Sequence, residues 1–249
     1  MKFSLAFIIL ITCIQLQAQS KHISKKSHYI YHSHGISFQK YTNLKARITS
    51  NPKYEHIPTS MGTLQLGFIT VANKLSFTTG ATVGNSLSGN KKTRSTACKM
   101  LGASIDVGYN LYAKDRLAIT PFIGLEVENH TVQFNKDNST IAFDSILSNT
   151  NIAQSVMPVI FYNTFFNYRT GITLSYKSIQ NKRSSVGLQV GYSGSFAVTD
   201  WKINTTQTLA TSPKDGLYKA FANVIFRYQF FSKKKQSPAN TAGLGMAIN

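Results

Sequence analysis

Residues 186–198 read VGLQVGYSGSFAV, with apolar side chains at 186, 188, 190, 192, 196 and 198 and small or polar ones between them. A β-strand has a period of two, so this stretch gathers its apolar side chains on one face. The same alternation marks seven more segments, at about 29–44, 62–72, 75–87, 99–112, 116–134, 161–178 and 216–231. The fourth is the clearest. There Leu101, Ala103, Ile105, Val107, Tyr109 and Leu111 share one face, and Gly102, Ser104, Asp106, Gly108 and Asn110 the other. In the fifth, Pro121 falls on the apolar face; lacking an N–H, it predicts a bulge in the ladder. No run has a helical period, and nothing after the N-terminus holds 18 successive apolar residues, the length a membrane helix needs.

The connections sort by length. Short turns follow the second, fourth and sixth segments, at 72–74, 114–116 and 181–183. Longer links follow the first, third, fifth and seventh. Strict alternation of short and long puts both chain ends on the short-turn side. An outer-membrane barrel has this asymmetry and an even strand count, whereas a soluble sandwich has no reason to sort its loops. Several segments exceed the roughly 9–11 residues that a tilted strand needs to cross a bilayer. Aromatic residues gather near segment ends, as interfacial girdles do. Tyr109, Tyr112, Tyr176, Phe226, Tyr228 and Phe230 lie on the short-turn side; Phe134, Phe161, Tyr162, Phe196 and Trp201 lie toward the long loops. The expected fold is all-β, a single eight-stranded antiparallel up-and-down transmembrane β-barrel.

The N-terminus, MKFSLAFIILITCIQLQAQS, has a positive start, a short apolar run and small residues near Ala18, which is the form of a secretory signal peptide. The expected organisation is a signal peptide at 1–19, the barrel within 20–231 and a disordered basic periplasmic tail at 232–249. Removal of the signal leaves Cys98 as the one cysteine, so neither an internal disulfide nor a cysteine-ligated metal is expected. Acidic residues number nine against 27 Lys plus Arg, a net charge of +18. Such a balance points to anionic partners. The signal excludes nucleic acid and favours lipid phosphates.

With these residues in view, the sequence resembles the small outer-membrane β-barrel proteins of Bacteroidota. The signal ending in QAQ, the eight amphipathic segments and the closing ANVIFRYQFF carry the likeness over about 29–231. In architecture it is similar to the transmembrane domains of OmpA and OmpX. The resemblance implies that Phe230 or Phe231 serves as the terminal aromatic signal read by the barrel-assembly machinery, although here a further 18-residue stretch, SKKKQSPANTAGLGMAIN, follows it. It also implies an interior ion cluster that closes the lumen.

The candidates for that cluster are the charged residues on lumen-facing positions: Asp106, Glu126, Glu128, Arg169 and Arg227. An eight-stranded barrel is just filled by its own side chains, so charges there must pair or be hydrated. Glu126 and Arg169 lie on adjacent strands at similar distance from their turns and are expected to meet. Lys91, Lys92, Arg94 and Lys99 fall in a loop at the outer rim, where they are placed to contact lipopolysaccharide phosphates. His28, His32 and His34 share strand parity, but with no carboxylate nearby in sequence they read as a solvated patch and not as a metal site. His56, His130, Asp144 and Ser145 are expected at the rim, with no motif that orients a nucleophile. No cofactor is expected. The function expected is structural or surface interaction in the outer membrane, non-enzymatic, with both termini periplasmic and an extracellular or envelope partner that the sequence does not identify. The alternatives are a narrow solute channel and a secreted soluble barrel that binds an apolar ligand.

Overall fold

A computed structural model describes residues 26–50, 56–87, 95–114, 116–135, 141–177, 183–203, 207 and 210–231. The signal segment, the tail from 232 onward, and Lys91, Lys92 and Arg94 lie outside these. Eight strands form the barrel: β1 Lys26–Tyr41, β2 Ser60–Ala72, β3 Leu75–Ser86, β4 Ser95–Tyr109, β5 Leu117–Asn135, β6 Val159–Lys177, β7 Ser184–Ser195 and β8 Leu217–Phe231. Each pairs antiparallel with its chain neighbours, and β1 pairs with β8 to close the ring. The observed strands match the eight expected segments to within a few residues. β2 and β3 join through a two-residue turn at which Asn73 takes a left-handed φ of 56°, a conformation that asparagine tolerates.

The expected bulge is present on the strand opposite Pro121. Gly108 faces Phe122, but Tyr112 faces Ile119, so the chain leaving β4 spends one more residue than β5 does. Pro121 sits between those two pairs, where the ladder asks it for no donor on that side.

The register fixes the tilt. Starting at His34, the ladder runs one way through Leu64, Val83 and Leu101 to Asn129. The other way it runs through Val224, Leu188 and Leu174 to Ile119. The two arrivals on β5 differ by ten residues, which is the shear. With eight strands, a rise of ~3.3 Å and a spacing of ~4.8 Å, the strands tilt by about 40°.

The outside is apolar. Ile123 is 69% exposed, Leu101 61%, Ile105 60% and Phe68 57%. Val186, Leu188 and Val190 of the stretch quoted first also point outward, while Gln189 between them, and Ser185 and Ser193 of the same parity to either side, are buried. Such an inversion of the usual soluble pattern is what hydrocarbon as the outer solvent demands. On β5 the outward positions are apolar from Leu117 to Val127 and polar from there on: Asn129, Thr131, Gln133, Asn135. At the derived tilt the apolar part stands about 25 Å tall, the height of a bilayer belt.

Above that level the pattern flips. β5 and β6 continue past the belt, and their inward positions become Val132, Phe134 and Phe165, all fully buried. The outer part of the barrel is therefore built like a soluble protein, with polar residues outside and apolar ones inside. Two further short helices, α2 Phe143–Ser148 and α3 Thr150–Val156, lie in the long β5–β6 connection, and α1 Asn43–Thr49 lies in the β1–β2 connection.

Candidate functional site

The lumen at the belt's upper half is filled by an ion network. Parity alone aims Glu126, Glu128 and His130 of β5, Asp106 of β4, Arg169 of β6 and Lys219 of β8 at the axis. Arg169 Nε lies 3.2 Å from Asp106 Oδ1, and its Nη1 lies 3.5 Å from Glu126 Oε1. Lys219 Nζ donates to Glu126 Oε2 at 2.9 Å and also to Glu128. His130 Nε2 lies 3.2 Å from Glu128 Oε2, and Tyr41 Oη lies 2.7 Å from His130 Nδ1. Ser193 and Asn167 add donors to Glu126 and Glu128. Asp106, Glu126, Glu128, Arg169 and Lys219 are each at most 4% exposed. The arrangement thus interleaves three carboxylates with two fixed cations, which is what makes their joint burial tolerable.

Space for the network is made by glycine. A Cβ built on Gly124 would stand 2.1 Å from Asp106 Oδ1. The Arg169 guanidinium also lies over the Phe221 ring at 4.9 Å and the Phe122 ring at 5.6 Å. What free volume remains beside Glu126, Arg169 and Lys219 is about 20 Å³, room for about one water.

Four of the five candidate cluster residues come together: Asp106, Glu126, Glu128 and Arg169. Arg227 does not. It sits lower, beside Tyr29 and Tyr31 in a cavity of about 120 Å³ toward the short-turn end, and forms no ion pair among the described residues. Its strand parity was right; its height, set by the shear, separates it from the carboxylates. Two members were missed. Lys219 shares parity with Arg227 and lies eight residues from it, and His130 shares parity with Glu126 and Glu128. His130 was expected at the rim among loop polar groups, but it is fully buried inside.

Over the network lies an apolar cap. Tyr41, Leu44, Ile48, Ile57, Met61, Cys98, Met100, Val132, Phe134, Phe165, Trp201 and Leu217 form one buried cluster, with Val159 and Phe161 packed against it. Phe134, Phe161 and Trp201 thus belong to this cap and not to an outer girdle, because above the belt the apolar side of a strand turns inward. Of the residues expected at the outer girdle, Tyr162 lies on an outward position of β6, and Phe196 stacks on Phe166 at 5.1 Å on the outer surface. α1 is held down by one carboxylate. Asp215, fully buried, accepts from the backbone N–H of Asn43 and of Leu44 and from Trp201 Nε1 at 2.6, 2.8 and 2.8 Å. It caps the helix from another loop, joining the β1–β2 and β7–β8 connections above the lumen. Thr42, the helix's own cap position, makes no such bond.

The other sequence candidates disperse. Lys99 is exposed, on the outer surface just above the belt. Phe230 faces outward at the lower interface, its ring 6.4 Å from Phe68, and the Phe231 backbone pairs with His28. His56 is exposed, Asp144 and Ser145 lie on α2, and neither helix residue meets the buried His130. No cluster of three metal-ligating side chains occurs among the described residues. His28, His32 and His34 do share one face, but it is the outward one. The expectation of a solvated patch is corrected for His32, which stacks on Phe226 and Tyr228 at 5.0 and 5.9 Å.

No family model matches this chain, and no curated protein is similar to it. Among solved structures it is similar to Neisserial surface protein A, with 12% identity and a TM-score of 0.45 over 82% of this chain and 99% of that one. A major outer membrane protein of Thermus thermophilus matches at 10% identity and a TM-score of 0.47, over 81% and 99%. OprG of Pseudomonas aeruginosa matches at 16% and 0.45, over 84% and 98%. At these values the functional reading rests on the chain's own geometry.

Proposed function

We propose that this chain is a non-conducting outer-membrane barrel that works through the surface its long connections present outside the cell, with both termini in the periplasm. The observation that carries this reading is the double closure of the lumen. A solute entering from outside meets the apolar cap, then an ion network with room for about one water. Among the described residues the ion network leaves only about 20 Å³ beside Glu126, Arg169 and Lys219, far less room than a solute channel needs, so the channel alternative is disfavoured. The soluble alternative fails on the inversion: the apolar faces are outside, and the lower lumen holds a cavity of only about 120 Å³ whose wall mixes Tyr31, Ile69 and Ile225 with Asp106 and Arg227.

Among the described residues no nucleophile with an orienting base is assembled at the rim, and the role offered is non-enzymatic. The basic outer loop residues Lys91, Lys92 and Arg94, with Lys99, are assigned to lipopolysaccharide phosphates, and Phe230 or Phe231 to recognition by the barrel-assembly machinery. Planar-bilayer recording of the purified protein tests the central claim, with gel mobility of boiled and unboiled samples as the control for folding. Folded protein should give no steady openings. Regular conductance steps from heat-modifiable protein would overturn the closed reading and restore the channel.

A further inference from the structure

The outward face of β1 carries two imidazoles in the middle of the apolar belt. The shear places them. Four strand steps in either direction bring the row of His34 to Asn129 or to Ile119, so His34 stands level with residue 124 on the opposite wall. His32, two residues lower on the same strand, stands level with residue 122. That is the midpoint of the Leu117–Val127 belt, and His34 lies about 5 Å above it. The neighbours across the ladder are apolar: Leu66 and Phe226 beside His32, Leu64 and Val224 beside His34. The two rings meet edge to face with centroids 5.6 Å apart, and His34 is exposed. No hydrogen bond to either ring forms among the described residues. Lipid tails offer none, so a ring nitrogen here is unsatisfied unless protein covers it.

We propose that this face is the contact between two copies of the chain. Both copies enter the membrane with the same orientation, so a two-fold axis relating them runs along the membrane normal. Such an axis brings equal depths together, and His34 therefore meets His34. A neutral imidazole carries one donor and one acceptor and is self-complementary across that axis. A different partner would need its own polar group at the midplane. Beside Ile36, the next outward residue above His34, stand the small residues Ala222 and Gly62, with Ala220 beside Phe38 one step further up. The inference rests on the membrane reading above, and heat-modified gel mobility of the same samples reports on that reading separately.

The test is disulfide cross-linking in native membranes. Ile36, next on the outward face above His34, is replaced by cysteine, leaving both histidines in place; Cys98 is buried and stays silent. I36C is expected to give an oxidised dimer, whereas I123C, within the same belt on the far wall, gives at least tenfold less. Adding H32L and H34L to I36C should cut the dimer at least tenfold while the heat-modified shift persists, since leucine suits the lipid face. Equal cross-linking of I36C and I123C would mean random collision and would overturn the proposal. So would an I36C dimer that survives loss of both histidines, or no dimer at all from folded protein.

Discussion

Replacing Arg169 with methionine isolates the energetics of the lumen. The side chain is 3% exposed and bridges Asp106 and Glu126, at 3.2 and 3.5 Å. One such contact is worth about 4 kcal/mol at 4 Å under an effective dielectric of 20, and folding has already cost the desolvation of all three groups. Methionine keeps much of the packing on Phe221 and Phe122 but leaves two carboxylates with Lys219 as their nearest cation. Breaking a buried pair in this way typically costs about 3–5 kcal/mol. The assay is urea titration of the barrel in lipid vesicles, followed by fluorescence of Trp201, the chain's single tryptophan. R169M should lose about 3–5 kcal/mol. The triple variant D106N/E126Q/R169M removes both signs of charge together and should recover to within about 1.5 kcal/mol of the parent, because no uncompensated charge remains. A loss below about 1 kcal/mol in R169M, or a triple variant no better than the single, would show that lumen water hydrates each charge separately and would refute the network argument.

Three other outcomes follow from the same geometry. Asp215→Ala strips acceptors from two backbone N–H groups and the buried indole, and should cost about 2–4 kcal/mol locally; trypsin should then cut at Lys45 or Arg47 faster while the barrel keeps its heat-modified mobility. Cys98, 1% exposed within the cap, should resist maleimide in the folded parent and react in D215A, and rapid labelling of the parent would mean the cap is open. Ile123→Arg places a charge near mid-belt and should destabilise by about 2–4 kcal/mol, whereas Gln133→Arg, about 15 Å further out than the belt's edge at Val127, should change little; equal losses at the two positions would move the membrane boundary.

How much of this was readable beforehand depends on which solvent each residue faces. Strand parity is a local property, so Asp106, Glu126, Glu128 and Arg169 could be aimed inward from sequence alone. Whether two inward groups meet depends on shear, which is a property of the closed ring. That is why Arg227 was grouped with carboxylates it does not reach, and why Lys219 was passed over although parity aims it inward. Parity was also read with one solvent in mind. Phe134 has the parity of Glu126 and Glu128, so it could never have joined an outer girdle; the expectation put it there because aromatics at strand ends usually mark an interface. The signal that it belonged inside was the run Asn129, Thr131, Gln133, Asn135 on the opposite face. The cap's other pieces, α1 and Asp215, come from connections with no periodic pattern, and a helix capped by a carboxylate 171 residues away leaves no local trace.

The cap also narrows where recognition can reside. Leu44 and Ile48 point down into the apolar cluster, and Ile57 and Trp201 fill it from two other sides, so these positions answer to packing. The same helix turns Asn43, Lys45, Ala46 and Arg47 toward the outside. A partner bound there would touch a short helix whose N-terminus is pinned from below by Asp215 and whose exposed charge is basic. On the proposed reading, a platform pinned in this way loses little conformational freedom on binding, and its positive charge would favour an anionic surface over a neutral one. The downward residues decide whether the platform exists; the upward ones are left to decide what it holds.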